Sequence, residues 1–248
     1  MWNIVKGDEI SSGMKMNTDK NSMLFWYPKI KDLSIPQPKT EIISITWSFG
    51  SDGNSIEIDD ESFKLIKEKA KNFKFPLFVR TDHGSGKHDW KDTCFVEKPD
   101  QLKKHIKNLI LWGLAADVIG LPCNAIVLRE YIQMNNLFIA FWGKMPVNPE
   151  IRFFINNGEV LCWHWYWIED AIRFPSVENW REILDKCRNS ISEEEIETLN
   201  KYAKLVSEKL EGYWSVDFCQ AKDGTWYLID CALGKNSWHP ACPKKISN

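Results

Sequence analysis

An α+β fold with more than one mainly antiparallel sheet is predicted by three features of this 248-residue chain. Two dipeptides, Asn157-Gly158 and Asp223-Gly224, lie between β-rich runs. Each accepts the positive φ angles of a two-residue hairpin loop, and such loops join antiparallel strands. Strand-like and helix-like segments alternate along the chain. A long segment, "SEEEIETLNKYAKLVSEKLEG", opens on the capping box Ser192 and Glu195 and stops at Gly212. Its apolar residues Ile196, Leu199, Ala203, Val206 and Leu210 recur by three and four, so one stripe packs on a sheet. The combination fits an α+β protein rather than a doubly wound parallel sheet.

The elements follow in order. Residues 1–40 read as irregular, with "SIPQPKT" leading into the strand "EIISITWSF". A helix spans about 60–73, acidic at its start and lysine-rich towards its end, as the helix dipole favours. "FPLFVRTDHGSGKHDW" is a short apolar strand ending in Arg80, then a loop carrying Gly84 and Gly86. A second helix, in "KPDQLKKHIKNLILWGLAA", starts just after Pro99, and "NAIVLREYI" is a strand. "EIRFFINNGEVLCWHWYW" folds on Asn157-Gly158, and Trp163, Trp165 and Trp167 share one strand face as core or sheet cover. A base-stacking platform lacks the interleaved basic residues it needs. Two helices follow, the longer being the capped one, and the Asp223-Gly224 hairpin closes the fold.

Composition excludes several classes of function. Lys and Arg number 32 against 34 Asp and Glu, a formal net charge of -2, so nothing attracts the whole chain to nucleic acid or anionic membrane. No apolar run reaches membrane-spanning length, and "MWNIVKGDEISSG" lacks a signal-peptide run. Seven cysteines without a C-x-x-C argue against a disulfide framework and a zinc ribbon. They read as small apolar residues of a soluble, reduced, cytoplasmic protein.

Charges inside the strands carry the functional signal. A two-residue loop at Asp223-Gly224 sets Asp217 opposite Asp230, and like charges directly opposed repel. A hard cation such as Mg2+ between them, with nucleotide phosphates completing its shell, turns repulsion into coordination. On that reading, replacing either by Asn leaves the unliganded fold intact or slightly more stable. The loop "HGSGKH" lets backbone amides approach phosphate, with Arg80 and Lys87 pairing with its charge, although such loops are commonly plain turns. His83 and His88 flank this loop, as phosphate or substrate contacts or as solvated loop residues. His164 reads as a sheet residue, and His239 stands where it could close a site. Arg129, Glu130, Glu150 and Arg152 also lie in strands, and each alone is equally compatible with a solvated sheet edge. Neither GxxxxGK[ST] nor a strand–GxGxxG–helix unit is present, which disfavours P-loop and Rossmann proteins.

In this order, over about residues 75–240, the segments resemble the ATP-grasp superfamily. The wording "VR…SGKHDW…LREYI…EIRFFINNGEV…VDF…WYLID" is similar to a divergent clade that includes the cell division cycle protein 123 family and small bacterial and phage ATP-grasp proteins. The resemblance implies two lobes with mainly antiparallel sheets clasping a nucleotide. Residues 1–74 form a substrate-side N-terminal region, 75–128 the small lobe, and 129–248 the large lobe with the metal site. It implies ATP and Mg2+ as cofactors. Nucleotide contacts fall on Arg80, Ser85, Gly86, Lys87, Arg129, Glu130, Tyr131 and Ile132. Metal contacts fall on Asp217 and Asp230. Ala232 occupies the position where many members carry asparagine, and Asn236 is the substitute. Arg152 and Lys87 are the catalytic candidates, Arg152 either on an acyl-phosphate or in a salt bridge to Glu150 or a neighbour.

The implied activity is that of an ATP-dependent carboxylate-amine ligase proceeding through an acyl-phosphate. The implied partner is a peptide, a protein or a small amino acid, with no nucleic acid and no membrane. The other implied function is an ATP-binding assembly factor without covalent product, since the cell division cycle protein 123 family is associated with assembling a translation initiation complex.

Overall fold

The computed structural model describes residues 19–116 and 123–240. The expectation of irregular chain over residues 1–18 lies outside them. The chain runs through helix α1 (Met23–Ile30), strands β1 (Thr40–Ser44), β2 (Trp47–Phe49) and β3 (Ile56–Ile58), and helix α2 (Asp60–Ala70). Strands β4 (Leu77–Thr81) and β5 (Phe95–Val96), helix α3 (Leu102–Ala116), and strands β6 (Ala125–Glu130), β7 (Phe138–Ala140) and β8 (Met145–Val147) follow. The last part holds β9 (Glu150–Asn156), β10 (Glu159–Trp165), α4 (Trp180–Ser190), α5 (Glu193–Ser207), β11 (Tyr213–Gln220) and β12 (Trp226–Leu233).

The fold is α+β, and its named strands pair antiparallel. One four-stranded sheet has the order β1-β6-β4-β5 and the other β10-β9-β11-β12, with small hairpins β2-β3 and β7-β8 beside them. Each large sheet has its own core. Ile66, Leu77, Val79, Ile106 and Leu128 belong to the core of the first, under α2 and α3. Trp26, Phe153, Ala203, Trp214 and Phe218 belong to the core of the second, where α1 and α5 pack. β1, from the region before residue 75, pairs along β6 in the first sheet. Among the described residues no helix is long and apolar enough to cross a membrane.

Helix α1 is a departure from the irregular reading of residues 1–40. Pro28 removes a backbone donor and obscures the period. Burial decides the matter: Met23, Trp26 and Ile30, spaced by three and four, are fully buried in the second sheet's core. The Ser22 side chain caps the helix by accepting from the Leu24 amide at 3.2 Å. α5 has the expected capping box and buries Leu199, Ala203 and Val206, but ends at Ser207. Of the alternating tryptophans, Trp163 and Trp165 pack on the second core, while Trp167 lies past the end of β10 in a separate cluster with Phe141 and Trp180.

The two hairpins differ. Asn157 and Gly158 have φ of 47° and 86° and form the expected two-residue loop between paired Asn156 and Glu159. The second loop is one residue longer than expected: the Ala221 amide donates to the Thr225 carbonyl at 2.8 Å across Lys222, Asp223 and Gly224. A bulge then shifts the register, so that Phe218 pairs with Leu228 but Asp217 with Asp230. Two one-residue shifts cancel, and the aspartates stand opposed as expected.

A charged staple ties α1 to the end of β4. His83, expected at the phosphates or in solvent, is enclosed instead, with Nε2 2.7 Å from Asp19 Oδ2 and Nδ1 3.2 Å from Asp82 Oδ2. Asp82 also accepts from Ser22 Oγ at 2.7 Å and from the amides of Asn124 and Ala125 at 3.1 and 3.3 Å. Burial opposes the protonated His83, but the two carboxylates outweigh it and raise its pKa. A raised folded-state pKa gives stability that is complete below the unfolded value near 6.5 and lost as pH rises through the folded one. His83→Gln is therefore expected to lower Tm more at pH 6 than at pH 9, by about 1–3 kcal/mol at the acidic end. Melting curves of both proteins across that range measure the difference; a gap that widens with rising pH would contradict the assignment.

Candidate functional site

A cavity of about 240 Å3 lies between the two large sheets. The first sheet supplies Arg80 from β4 and Arg129 from β6, and the second supplies Glu150 and Arg152 from β9, Asp217 from β11 and Asp230 from β12. Gly84, Ser85 and Lys87 line it from the loop after β4. Glu130, Tyr131 and Ile132 line it where the chain leaves β6. All the expected site residues but two are thus brought together.

Gly86 and Asn236 are the two that do not line the cavity. Gly86 is buried beside it in the left-handed region, φ 60°, where its carbonyl accepts from Thr93 Oγ1 at 2.8 Å. A Cβ there would meet Thr93 Cβ at 3.2 Å, so this glycine shapes the loop from behind. Asn236 is exposed on the turn after β12. Glu150 is the further acid that faces the cavity, and the sequence placed it only as the partner of Arg152.

The charged groups are already paired. Arg152 donates from Nε and Nη2 to both oxygens of Asp217 at 2.7 Å, and its guanidinium lies 4.6 Å from the Tyr166 ring centroid. Its salt-bridge partner is Asp217, since strand pairing sets these two opposite each other. Arg80 Nη1 reaches Asp230 Oδ1 at 3.0 Å. The opposed aspartates are therefore compensated by one arginine each, without a cation, which revises the expectation that Asn substitutions leave the unliganded fold untouched. Lys87 lies 4.0 Å from Glu150 and over the rings of Tyr166 and Trp167. Burial pushes the Glu150 carboxyl up to about 7 while Lys87 resists. Burial likewise opposes the charge on Lys87, but Glu150 and Tyr166 outweigh it and raise its pKa.

Arg129 differs from these. It is buried, its Nη1 donates to the Ile229 carbonyl at 2.6 Å, and its Nη2 lies 3.6 Å from Met23 Sδ. Nε has no partner. Burial, reinforced by the neighbouring charge of Arg80, pushes its pKa down to about 10. A buried guanidinium held by a carbonyl and a sulfur is short of negative charge. Glu130, next to it, instead accepts from the Lys39 amide at 2.7 Å.

Two antiparallel sheets closing on a cavity that carries basic, glycine-loop and paired acidic elements define an ATP-grasp protein. A family model described as an ATP-grasp domain, the third family of its clade, matches residues 67–246, and the chain belongs to that family. Among solved structures, the biotin carboxylase domain dimer of Hydrogenobacter thermophilus 2-oxoglutarate carboxylase, in complex with MgADP, ADP and bicarbonate, matches at 13% identity with a TM-score of 0.50. The match covers 87% of this chain and 39% of that one. Cdc123 from Schizosaccharomyces pombe matches at 14% identity and TM-score 0.48, over 86% and 82% of the two chains. D-alanine–D-alanine ligase from Bacillus anthracis complexed with ATP matches at 14% and 0.45, over 86% and 53%. The chain spans between 41% and 53% of the length of the first such synthetase and ligase structures. No curated protein sequence matches the chain.

ATP and Mg2+ are the cofactors of this family. The residues present fit them: the unpartnered Arg129 Nε, with Arg80 and Lys87, suits a polyphosphate, and Asp217 and Asp230 offer hard oxygen ligands. Among the described residues no three acids, histidines or cysteines form a metal site by themselves. Two aspartates with phosphate oxygens are the set that this arrangement allows.

Proposed function

We propose that this chain is an ATP- and Mg2+-dependent ligase that activates a carboxylate as an acyl-phosphate for attack by an amine, on a peptide, protein or small amino-acid substrate. The observation that carries the reading is the chain of contacts Arg152–Asp217 and Arg80–Asp230, at 2.7 and 3.0 Å, across one cavity with the unpartnered Arg129. Each aspartate now bound to an arginine is released when phosphate takes its place on that arginine, and becomes free to hold Mg2+. Mg2+ would supply charge neutralisation on the transferring phosphoryl group. Arg80, Arg129 and Lys87 hold the phosphates. The loop carrying Ser85 and Lys87, shaped by Gly86, excludes water over them. Backbone groups at Tyr131 and Ile132, with Glu130, receive the base and ribose. Arg152 holds the acyl-phosphate oxygens where the charge develops.

The three-part division at residues 74 and 128 belongs to the same proposal, with β1 contributed to the first sheet and α1 to the core of the second. The reading also includes a cytoplasmic location and action without nucleic acid or membrane.

Mg-ATP at millimolar concentration is expected to raise Tm by several degrees, since binding to the native state adds RT ln(1 + [L]/Kd). ADP is expected to accumulate only when a carboxylate and an amine acceptor are both supplied. Steady binding without ADP under any acceptor would favour the assembly-factor function. The absence of both binding and turnover would remove the nucleotide site altogether.

A further inference from the structure

The strand register builds a row of four charged or titratable side chains across one face of the second sheet. His164 on β10 pairs with Arg152 on β9, Arg152 with Asp217 on β11, and Asp217 with Asp230 on β12. Directly opposed residues of antiparallel strands share a face, with Cβ atoms about 5 Å apart. The proposed function uses three members of the row and leaves His164 without a task.

The state of this imidazole is defined by its surroundings. His164 is 8% exposed, and Nδ1 lies 2.8 Å from the Trp165 carbonyl oxygen. A carbonyl only accepts, so Nδ1 carries the hydrogen and Nε2 presents its lone pair. Nε2 is buried with no hydrogen-bond partner. The charged and titratable groups facing it are Arg152 and Asp217 from the neighbouring strands and His239 from the segment after β12. Burial, helped by Arg152 and His239 and opposed by the Trp165 carbonyl and Asp217, lowers its pKa, so it is a neutral base at neutral pH. An unpartnered buried acceptor costs about 1–3 kcal/mol when nothing answers it. A proton-bearing ligand would answer it.

The surroundings also suit an ammonium. Phe154 stacks near His164 with ring centroids 5.7 Å apart, and Trp238 stands edge-on at 5.4 Å. Aromatic faces attract cations. Trp238 is 49% exposed, so rotation of that one side chain opens the place. Arg152, which holds the acyl-phosphate in the proposed function, is the next residue along the row.

We propose that His164 is the catalytic base for the acceptor, which is a primary amine entering between Arg152 and Trp238. This deepens the ligase reading and rests on it. The amine arrives as an ammonium and gives one proton to His164 Nε2. Its freed lone pair then attacks the acyl carbon, forming the C–N bond. The C–O bond to the phosphate breaks with its electron pair leaving on the phosphate oxygen, and the phosphate takes the proton released as the amide forms.

The test compares two acceptors with Mg-ATP and a mixture of N-acetylated amino acids as carboxylate donors. Hydroxylamine is unprotonated at the assay pH and needs no base, whereas methylamine is an ammonium. In His164→Asn the amide stands in for Nδ1 and keeps the bond to the Trp165 carbonyl, while Nε2 is gone. Its Mg-ATP thermal shift and hydroxamate formation are expected to equal those of the wild type. Its methylamide formation is expected to fall by about 10²–10⁴-fold and to recover as pH is raised towards the amine's own pKa. His164→Gln, whose amide lies near the Nε2 position, provides a second variant and is expected to behave in the same way. Equal rates for the two acceptors in both variants, or a methylamide loss that alkaline pH does not recover, would overturn the assignment. A wild-type protein that binds Mg-ATP but yields neither product would end the ligase reading, and this one with it.

Discussion

Asp217→Asn is expected to cost the unliganded protein about 2–4 kcal/mol, a fall in Tm of roughly 5–15 °C, and to abolish the Mg-ATP thermal shift. The stability loss follows from the pair it breaks. The Asp217 side chain is 8% exposed and accepts two 2.7 Å bonds from Arg152, so the Asn variant strands a buried guanidinium. The binding loss follows from ligand chemistry, since an amide is a poor ligand for a hard cation. Asp230→Asn separates the two effects. The Asp230 side chain is 37% exposed, so water screens its contact with Arg80 and the unliganded Tm is expected to move by no more than about 2 °C. The Mg-ATP shift is expected to vanish all the same. If Asp230→Asn keeps the full shift, the aspartates do not hold the cation.

The second large effect has the opposite sign on stability. Arg129→Met removes a buried charge whose pKa is pushed down to about 10 and whose Nε has no partner. Its depressed pKa marks a charge held at a cost of a few kcal/mol at neutral pH. Methionine fills the volume, next to Met23, without that cost. Losing the bond to the Ile229 carbonyl offsets part of the gain, and the net expectation is a Tm a few degrees higher. Mg-ATP affinity is expected to fall by about 10²-fold, the loss of one or two charge-assisted hydrogen bonds. Calorimetric titration together with melting curves measures both quantities. A variant that is less stable and still binds Mg-ATP normally would show that Arg129 serves the fold and not the nucleotide.

Features encoded by a few adjacent residues were legible without coordinates. The Asn157-Gly158 loop and the Ser192–Glu195 capping box act over two to four positions, and both stand as expected. So does the gathering of Arg80, Lys87, Arg129 and the acidic strands, because residues of these types, in this order along strand-like runs, resemble one family. Helix α1 was not legible, because its weak local pattern is interrupted by Pro28 and only burial of Met23, Trp26 and Ile30 against the second sheet stabilises it. Asn236 was proposed to fill the gap left by Ala232, yet its position on an exposed turn depends on how the chain leaves β12.

By itself the sequence determined the α+β class, the two antiparallel hairpins and the opposition of Asp217 to Asp230, since turn residues and strand alternation are local properties of the chain. Only the tertiary structure decided what those aspartates touch. Whether Asp217 meets Arg152, whether Arg80 reaches Asp230 from the other sheet, and whether His83 is enclosed between Asp19 and Asp82 depend on contacts between residues far apart in the chain. Such pairings are set by the packing of two sheets against a shared cavity, and no sequence period records which distant cation will answer a given acid.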